Sequence, residues 1–311
     1  MTTDCTVYVS SVANPRKHPR KISCLENFAQ GVAATGDTVI TEWDTQYRPS
    51  RLAVILGWAT TNTGGPNITL RKQIIAEQQR RGLHTLCIDA SCWKYLDNAG
   101  TYLRYSLNGP FYDRAEYANA NSTAHKWQEI SAAVGVGMMP YNSAKNGHVL
   151  ICMQRDGGFA MKSLQPMAWL AEKISQIRQV SNRAIYIRPH PGDYRAGDFD
   201  PFRRTKYFQK MNVHVVDCVN TSLLNNLAGA HSAVFFNSSA SVAAVLQGIP
   251  VFVDDQSCVS WQVANHDINN IENPKQFERE QWLYDLASAH WSDEDGRTGR
   301  IYQKFLPFIK K

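Results

Sequence analysis

The sequence has no long hydrophobic run. No window approaches the roughly 20 apolar residues of a membrane-spanning helix, and the start, Met1-Thr2-Thr3-Asp4-Cys5-Thr6-Val7-Tyr8-Val9-Ser10, lacks the basic stretch and apolar core of a secretion signal. A soluble cytoplasmic protein is the expectation. No cysteine pattern is present either. The seven cysteines, at 5, 24, 87, 92, 152, 218 and 258, are odd in number and without CxxC spacing, which argues for reduced, buried thiols over a disulfide framework or a zinc ribbon. Low-complexity tracts and solenoid repeats are missing. So is charge of one sign: 33 Lys and Arg against 27 Asp and Glu leave a net charge of +6, which permits an anionic partner such as a nucleotide or DNA without demanding one. An Asp-x-Asp directly after a strand, which would hold a divalent cation, is lacking. Asp293-Glu294-Asp295 has the spacing but falls in a polar turn near the end, and Asp254-Asp255 does not have it. No metal and no cofactor is therefore expected.

What is present is foldable chain: 311 residues with 43% hydrophobic and 19% charged content exceed one ordinary core and suit two domains of roughly 150 residues. From residue 148 onward short apolar runs alternate with helical patterns. Strands are predicted at His148–Gln154, Ala184–Ile187, Val213–Val216, Ala233–Phe236 and Val251–Val253. Helices are predicted at Leu164–Val180, Pro201–Met211, Ser222–Ala230 and Ser239–Gln247, the first carrying apolar residues at 164, 167, 168, 171, 174 and 177. Strict βα alternation with Val- and Ile-rich strands means a parallel sheet covered by helices on both faces. The first half repeats the pattern, with strands at Thr6–Val9, Thr38–Thr41, Leu52–Leu56 and Thr85–Ile88 and helices near Leu25–Thr35 and Leu70–Arg81. Residues 97–147 have little periodicity and read as irregular chain and crossover. The stretch from Pro274 to Lys311 reads as two helical pieces with bulky anchors, fit to pack back on the first domain. The expected domains are 1–147, 148–273 and a tail, 274–311, in a monomer.

In an open α/β sheet the ligand lies beyond the carboxyl ends of the strands, so the residues just after each strand matter most. In the second half these are Gln154-Arg155-Asp156-Gly157-Gly158, Arg188-Pro189-His190-Pro191-Gly192-Asp193 and Asn237-Ser238-Ser239-Ala240-Ser241. The third group opens a helix. Backbone N–H groups and the positive end of the helix dipole suit a phosphate there, although Asn and Ser cap helices in any α/β domain. In the second group two prolines stiffen the loop that holds His190 beside Arg188, an arrangement that fits a diphosphate or a leaving-group charge. Gly157 and Gly158 permit close backbone approach to a ligand.

In the first half Asp89, directly after a strand, is the candidate general base, with Asp37 and Asp113 in reserve. Asn14-Pro15-Arg16-Lys17-His18-Pro19-Arg20-Lys21 packs four fixed charges after the first strand. Such a run is commonly a solvated loop, but at the ligand edge it can meet phosphates, and Arg71, Lys72, Arg80 and Arg81 extend the same basic character. Trp58, Trp93 and the Tyr-rich segment 102–117 are candidates for stacking on bases.

The Arg188-Pro189-His190-Pro191 loop, followed by Asn237-Ser238-Ser239 before a helix that ends in Gly248-Ile249-Pro250-Val251, resembles glycosyltransferases built from two Rossmann-like domains facing each other across a cleft, the GT-B type. The resemblance covers residues 148–255 and extends to capsule sugar transferases with His-Pro and Ser-Ser motifs and to phage-encoded glycosyltransferases. It implies a nucleotide-sugar donor, such as a UDP-sugar, in the second domain, with His190, Ser238 and Ser239 at the diphosphate. Arg155, Gly157, Gly158, Arg188, Asn237, Ser241 and Gln247 complete that candidate donor site. Many such enzymes place a Glu five residues before the glycine to hold the ribose; Ala243 stands there in this chain, which leaves Gln247 or the 154–158 loop for that contact. Asp89 and His190 are the candidate catalytic residues. The phage resemblance implies sugar transfer to the hydroxymethyl group of 5-hydroxymethylcytosine or 5-hydroxymethyluracil in double-stranded DNA, with Arg16, Lys17, Arg20, Lys21, Trp58 and Trp93 at the acceptor. The alternatives are a surface-polysaccharide sugar transferase and a nucleotide-binding module without catalysis.

Overall fold

The computed structural model describes residues 3–14, 17–58, 65–96, 100–142, 144–155, 159–162, 164–193 and 210–310. Arg16, Gly157 and Gly158 lie outside the described residues, as does most of the Pro201–Met211 helix. Contacts divide the chain into two compact units, Met1–Ile130 with Leu283–Lys311, and Ser131–Trp282. The boundaries expected at 147 and 273 thus shift to 130 and 282. Each falls inside a helix, His125–Val134 and Glu280–Ala287, where no linker composition marks a border.

The first unit holds a six-stranded sheet made of β1 (Thr3–Tyr8), β2 (Val39–Glu42), β3 (Ser50–Leu56), β4 (His84–Ala90), β5 (Tyr102–Leu107) and, far along the chain, β11 (His290–Ser292). Its order is β11-β5-β4-β3-β1-β2. The four strands from β2 to β4 are parallel; β5 runs against β4, and β11 against β5. Register sets Val7 opposite Val54, and Leu56 opposite Ile88, so Tyr8, Leu56 and Ala90 end at one edge. Alternation along the strands supplies both faces. Cys5, Val7, Leu52, Val54, Leu86 and Ile88 pack under helix α1 (Pro19–Ala34). Tyr8, Ala53 and Ile55 pack under α2 (Pro66–Arg80) through Leu70 and Ile74. Full burial of each such aliphatic side chain stabilises by roughly 1.5–3 kcal/mol.

Two elements of this unit differ from the sequence reading. The stretch read as irregular contains β5, whose buried Arg104 interrupts the apolar alternation that signals a strand. The tail read as helical contains the strand β11, too short at three residues to show any period. After it, the helix Arg300–Ile309 buries Ile301, Tyr302, Phe305 and Ile309. Asp37 fastens that helix by accepting the Tyr302 hydroxyl at 2.8 Å and pairing with Lys310, so this carboxylate anchors the fold and is withdrawn as a base.

The second unit is a five-stranded, wholly parallel sheet of β6 (His148–Cys152), β7 (Ile185–Arg188), β8 (Val213–Val215), β9 (Ala230–Phe235) and β10 (Val251–Val253). The order β10-β9-β6-β7-β8 is that of a doubly wound nucleotide-binding sheet, which reverses direction between β6 and β9. Helix α3 (Pro166–Val180) covers one face with Trp169, Leu170, Ile174 and Ile177. A short helix, Ala240–Leu246, follows β9 and is buried along its whole length.

Candidate ligand sites at the two carboxyl edges

In the second unit the point of strand reversal lies between the carboxyl ends of β6 and β9, and one side chain bridges it. The Gln154 amide oxygen accepts the Asn237 backbone N–H at 2.8 Å, while its amide nitrogen donates to the Asn237 carbonyl. A polar network continues from there. Asn237 Nδ2 donates to Ser257 Oγ at 2.6 Å, Ser257 donates to Asp255, and Asp255 pairs with Lys162 Nζ at 2.6 Å. Burial pushes the Asp255 carboxyl up, but the Lys162 ammonium and the Ser257 donors outweigh it and hold it below the usual carboxylate range. Among the described residues no hydrogen bond uses the backbone N–H of Ser238 or Ser239. Both residues are partly exposed. Ser239 starts the helix with φ −61° and makes no side-chain cap bond, because Ser238 Oγ accepts the Ala240 N–H at 3.2 Å instead.

His190 stands on the next loop, after β7. Its Nδ1 accepts the Gly192 N–H at 3.0 Å and its carbonyl accepts the Asp193 N–H at 3.0 Å, so the turn is closed on itself. With Nδ1 accepting, the neutral ring carries its proton on Nε2, a donor suited to a phosphate oxygen. Pro189 is buried and His190 half-buried, and Arg155 is exposed just after Gln154.

Four of the candidate donor contacts have other partners. The Arg188 guanidinium is buried and donates to the carbonyls of Thr221, at 3.0 Å, and Cys218, and to the Asn226 side chain; with those donors satisfied it braces the chain after β8 and does not reach for phosphate. Ser241 is fully buried, donating to the Ser238 carbonyl at 2.6 Å and bonded to Ser260. Asn237 is buried and held on both its backbone and its side chain. Gln247 caps the far end of the helix, about 12 Å from Ser239 at 1.5 Å per residue, so it cannot take over a ribose contact at the helix start. Ala243 is itself fully buried in mid-helix. Lys162 and Gln154 are the contributors that motif reading missed; the signal for Gln154 was its place directly after a strand.

At the carboxyl edge of the first unit lies a cavity of about 560 Å³. Its walls are Leu56 at the end of β3, Ile88, Asp89 and Ala90 at the end of β4, Leu103, Gly100, and the segment Lys17–Lys21 that opens α1. The basic run and Asp89, distant in sequence, therefore meet. The run is less of a loop than expected, because Pro19 starts the helix as its first residue and puts Arg20 and Lys21 in the first turn. Arg20 donates to the Gly100 carbonyl. Asp89 is engaged at both oxygens, Oδ1 by the Ala90 N–H at 2.7 Å and Oδ2 by the buried Arg104 at 2.9 Å. His18, fixed by two helix N–H groups on its carbonyl, lines the same cavity and escaped the sequence reading because it sits within a run of fixed charges.

The stacking candidates fare differently. Trp93 is fully buried, 5.5 Å from Trp127 and 5.0 Å from His290 between ring centroids, so it belongs to the core and is withdrawn from the acceptor surface. Trp58 packs part of its ring on the core beneath α2. Of the supporting basic residues, Arg71 caps the carbonyls of Leu56, Gly57 and Trp58, and Arg80 and Arg81 pair with Glu77. Asp113 pairs with the neighbouring Arg114.

No family model and no curated protein matches the chain. Solved structures do. Thermosulfurimonas dismutans KpsC, a β-Kdo 2,4-transferase, shares 12% identity at a TM-score of 0.56 over 92% of this chain and 90% of its own. The β-Kdo 2,7-transferase of the same organism's KpsC shares 13% identity at a TM-score of 0.49, over 99% and 100%. Methanocaldococcus jannaschii UDP-GlcNAc 2-epimerase, solved with UDP-GlcNAc and UDP, shares 11% identity at a TM-score of 0.40, over 99% and 100%. The first of these likenesses carries the fold: this chain has the two-unit α/β fold of the GT-B type.

Proposed function

We propose that the protein is a nucleotide-sugar-dependent glycosyltransferase with its donor diphosphate at the carboxyl edge of the second sheet. The observation that carries this reading is the Gln154–Asn237 clamp at the strand reversal, next to Ser238 and Ser239, whose backbone N–H groups no chain acceptor takes among the described residues. Backbone donors held in advance need no reorganisation when the phosphate arrives. His190, on the adjoining stiff loop, supplies a further donor, and Lys162 adds positive charge at the same edge. In the reaction the acceptor hydroxyl oxygen bonds to the anomeric carbon as the bond from that carbon to the phosphate oxygen breaks. The nucleoside diphosphate leaves with the bonding electrons, and the hydroxyl proton passes to a base. With Asp89 tied to Arg104, the base is assigned to His18, whose imidazole lines the first-unit cavity.

A saccharide acceptor is favoured over hydroxymethylated DNA. The burial of Trp93 removes one of the two tryptophans proposed to stack on bases, the cavity has the size of a small-molecule site, and a neighbour in fold carries the name of a Kdo transferase. The test is transfer of labelled sugar from a panel of nucleotide sugars to saccharides and to hydroxymethylated DNA. Transfer to saccharides is expected, and it should survive EDTA. Transfer to DNA alone would reverse the choice of acceptor, and no transfer at all would leave a nucleotide-binding module. His190→Ala is expected to lower turnover about 100-fold or more, and His18→Ala by about 10²–10⁴, both in folded protein; unchanged turnover in either removes that residue's role.

A further inference from the structure

We propose that the cavity of the first unit binds a small organic anion, a phosphate or carboxylate carried on a sugar-sized body; only in naming that anion the acceptor does the proposal rest on the transferase reading. The cavity divides by chemistry. Leu56, Ile88, Ala90 and Leu103 give it apolar walls, and Lys17, His18, Arg20 and Lys21 line it from one segment. Among the described lining residues the carboxylate is Asp89, already matched by Arg104 at 2.9 Å. Among the described residues no carboxylate pairs with Lys17 or Lys21. The helix that carries Lys21 has 16 residues and no acidic residue in its first turn, so two cations sit at the end of a helix whose dipole is already positive, an arrangement that lowers stability. The packing engages Arg20, through the Gly100 carbonyl and the charge of Asp293, but among the described residues it does not offset Lys17 or Lys21, both exposed. An anion at the cavity mouth does, through charge-assisted hydrogen bonds, while the apolar walls accept the face of a ring. A volume of about 560 Å³ lies within the roughly 300–1,000 Å³ of small-ligand pockets, whereas a duplex backbone is met by an open basic surface.

The experiment is calorimetric titration of the full chain with glucose 6-phosphate, glucuronate and neutral methyl glucoside, for the wild type and a Lys17→Gln/Lys21→Gln double variant. The two anions are expected to bind at least tenfold more tightly than the glucoside, and the double variant to lose at least tenfold for both anions with its thermal midpoint unchanged or raised. The proposal is overturned if the glucoside binds as well as the anions, if neither anion binds, or if the double variant matches the wild type. It is equally overturned if a duplex oligonucleotide binds through these lysines while the sugar anions do not. UDP titrated in parallel separates the two readings: UDP binding should be indifferent to the lysine substitutions and weakened by His190→Ala, and a failure of UDP alone would sink the transferase reading while the sugar-anion result stands.

Discussion

The two units use buried polar groups in opposite places. In the second, the network from Gln154 through Asn237, Ser257 and Asp255 to Lys162 lies at the ligand edge itself. In the first, the strongest buried network lies elsewhere: Asp295 joins Lys126 at 3.0 Å, Arg300 at 2.5 Å and the Ser292 hydroxyl that caps its short helix, while His290 accepts the Cys92 N–H and donates to the Leu286 carbonyl. The ligand edge there keeps lysines that no carboxylate pairs with among the described residues. One edge is preorganised and internally bonded, and among the described residues the backbone N–H groups of Ser238 and Ser239 there have no chain acceptor. The other holds charge in reserve, and its electrostatics are completed by a ligand.

That contrast can be broken in the laboratory. The largest effect is expected from Asp295→Asn, which takes the buried counter-charge from Lys126 and leaves it the partly exposed Glu129 at 2.8 Å; it should lower stability by about 3 kcal/mol in denaturant titration, without changing UDP affinity. A loss of UDP binding would mean that the two networks are not separate. Next comes pH. Burial drives His290 down to about 3, below its unfolded value near 6.5, so the unfolded chain takes up a proton that the folded chain refuses. Its contribution is complete above pH 6.5 and falls by about 1.4 kcal/mol per pH unit below it. Melting of the first unit should therefore soften between pH 6.5 and 4, and His290→Gln should flatten that slope. Asp255 and Asp295, both held below the usual carboxylate range against the effect of burial, contribute stability that is present above about pH 3.9 and lost as pH falls through their folded values, so both units should weaken there.

Gln154→Ala should cost about 2 kcal/mol by stranding the Asn237 backbone groups, and should abolish the rise in melting temperature that UDP gives the wild type. A variant that keeps this rise would show that the clamp does not build the donor site. A change no larger is expected from Lys162→Met: about 1–2 kcal/mol of stability, since the lysine is 43% exposed but its partner Asp255 is buried, with a several-fold weaker UDP affinity by calorimetry.

Much of the second unit was readable because four of its strands carry a short apolar run, at 149–153, 185–187, 233–236 and 251–253, followed at once by a polar residue, so both the parallel sheet and its polar carboxyl edge follow from pattern. His190 stood out for the same reason, its two flanking prolines being visible in the sequence. Arg188, Ser241 and Gln247 misled because residue type and proximity to a strand end do not show which way a side chain turns. In the first unit Asp89 and the basic run were found singly. Their meeting in one cavity, and the pairing of Asp89 with Arg104, depend on β5, a strand hidden by that same buried arginine.

By itself, then, the sequence determined the alternation of strand and helix, the parallel sheet of the second unit and the polar turns at its carboxyl end, because hydrophobic periodicity and turn chemistry are local properties of the chain. Tertiary structure alone decided which polar groups face a ligand and which brace the fold. The amide of Gln154 reaches across 83 positions to Asn237 and the Cys92 N–H across 198 to His290, and hydrogen-bond donors are assigned to partners only when packing brings such distant segments together.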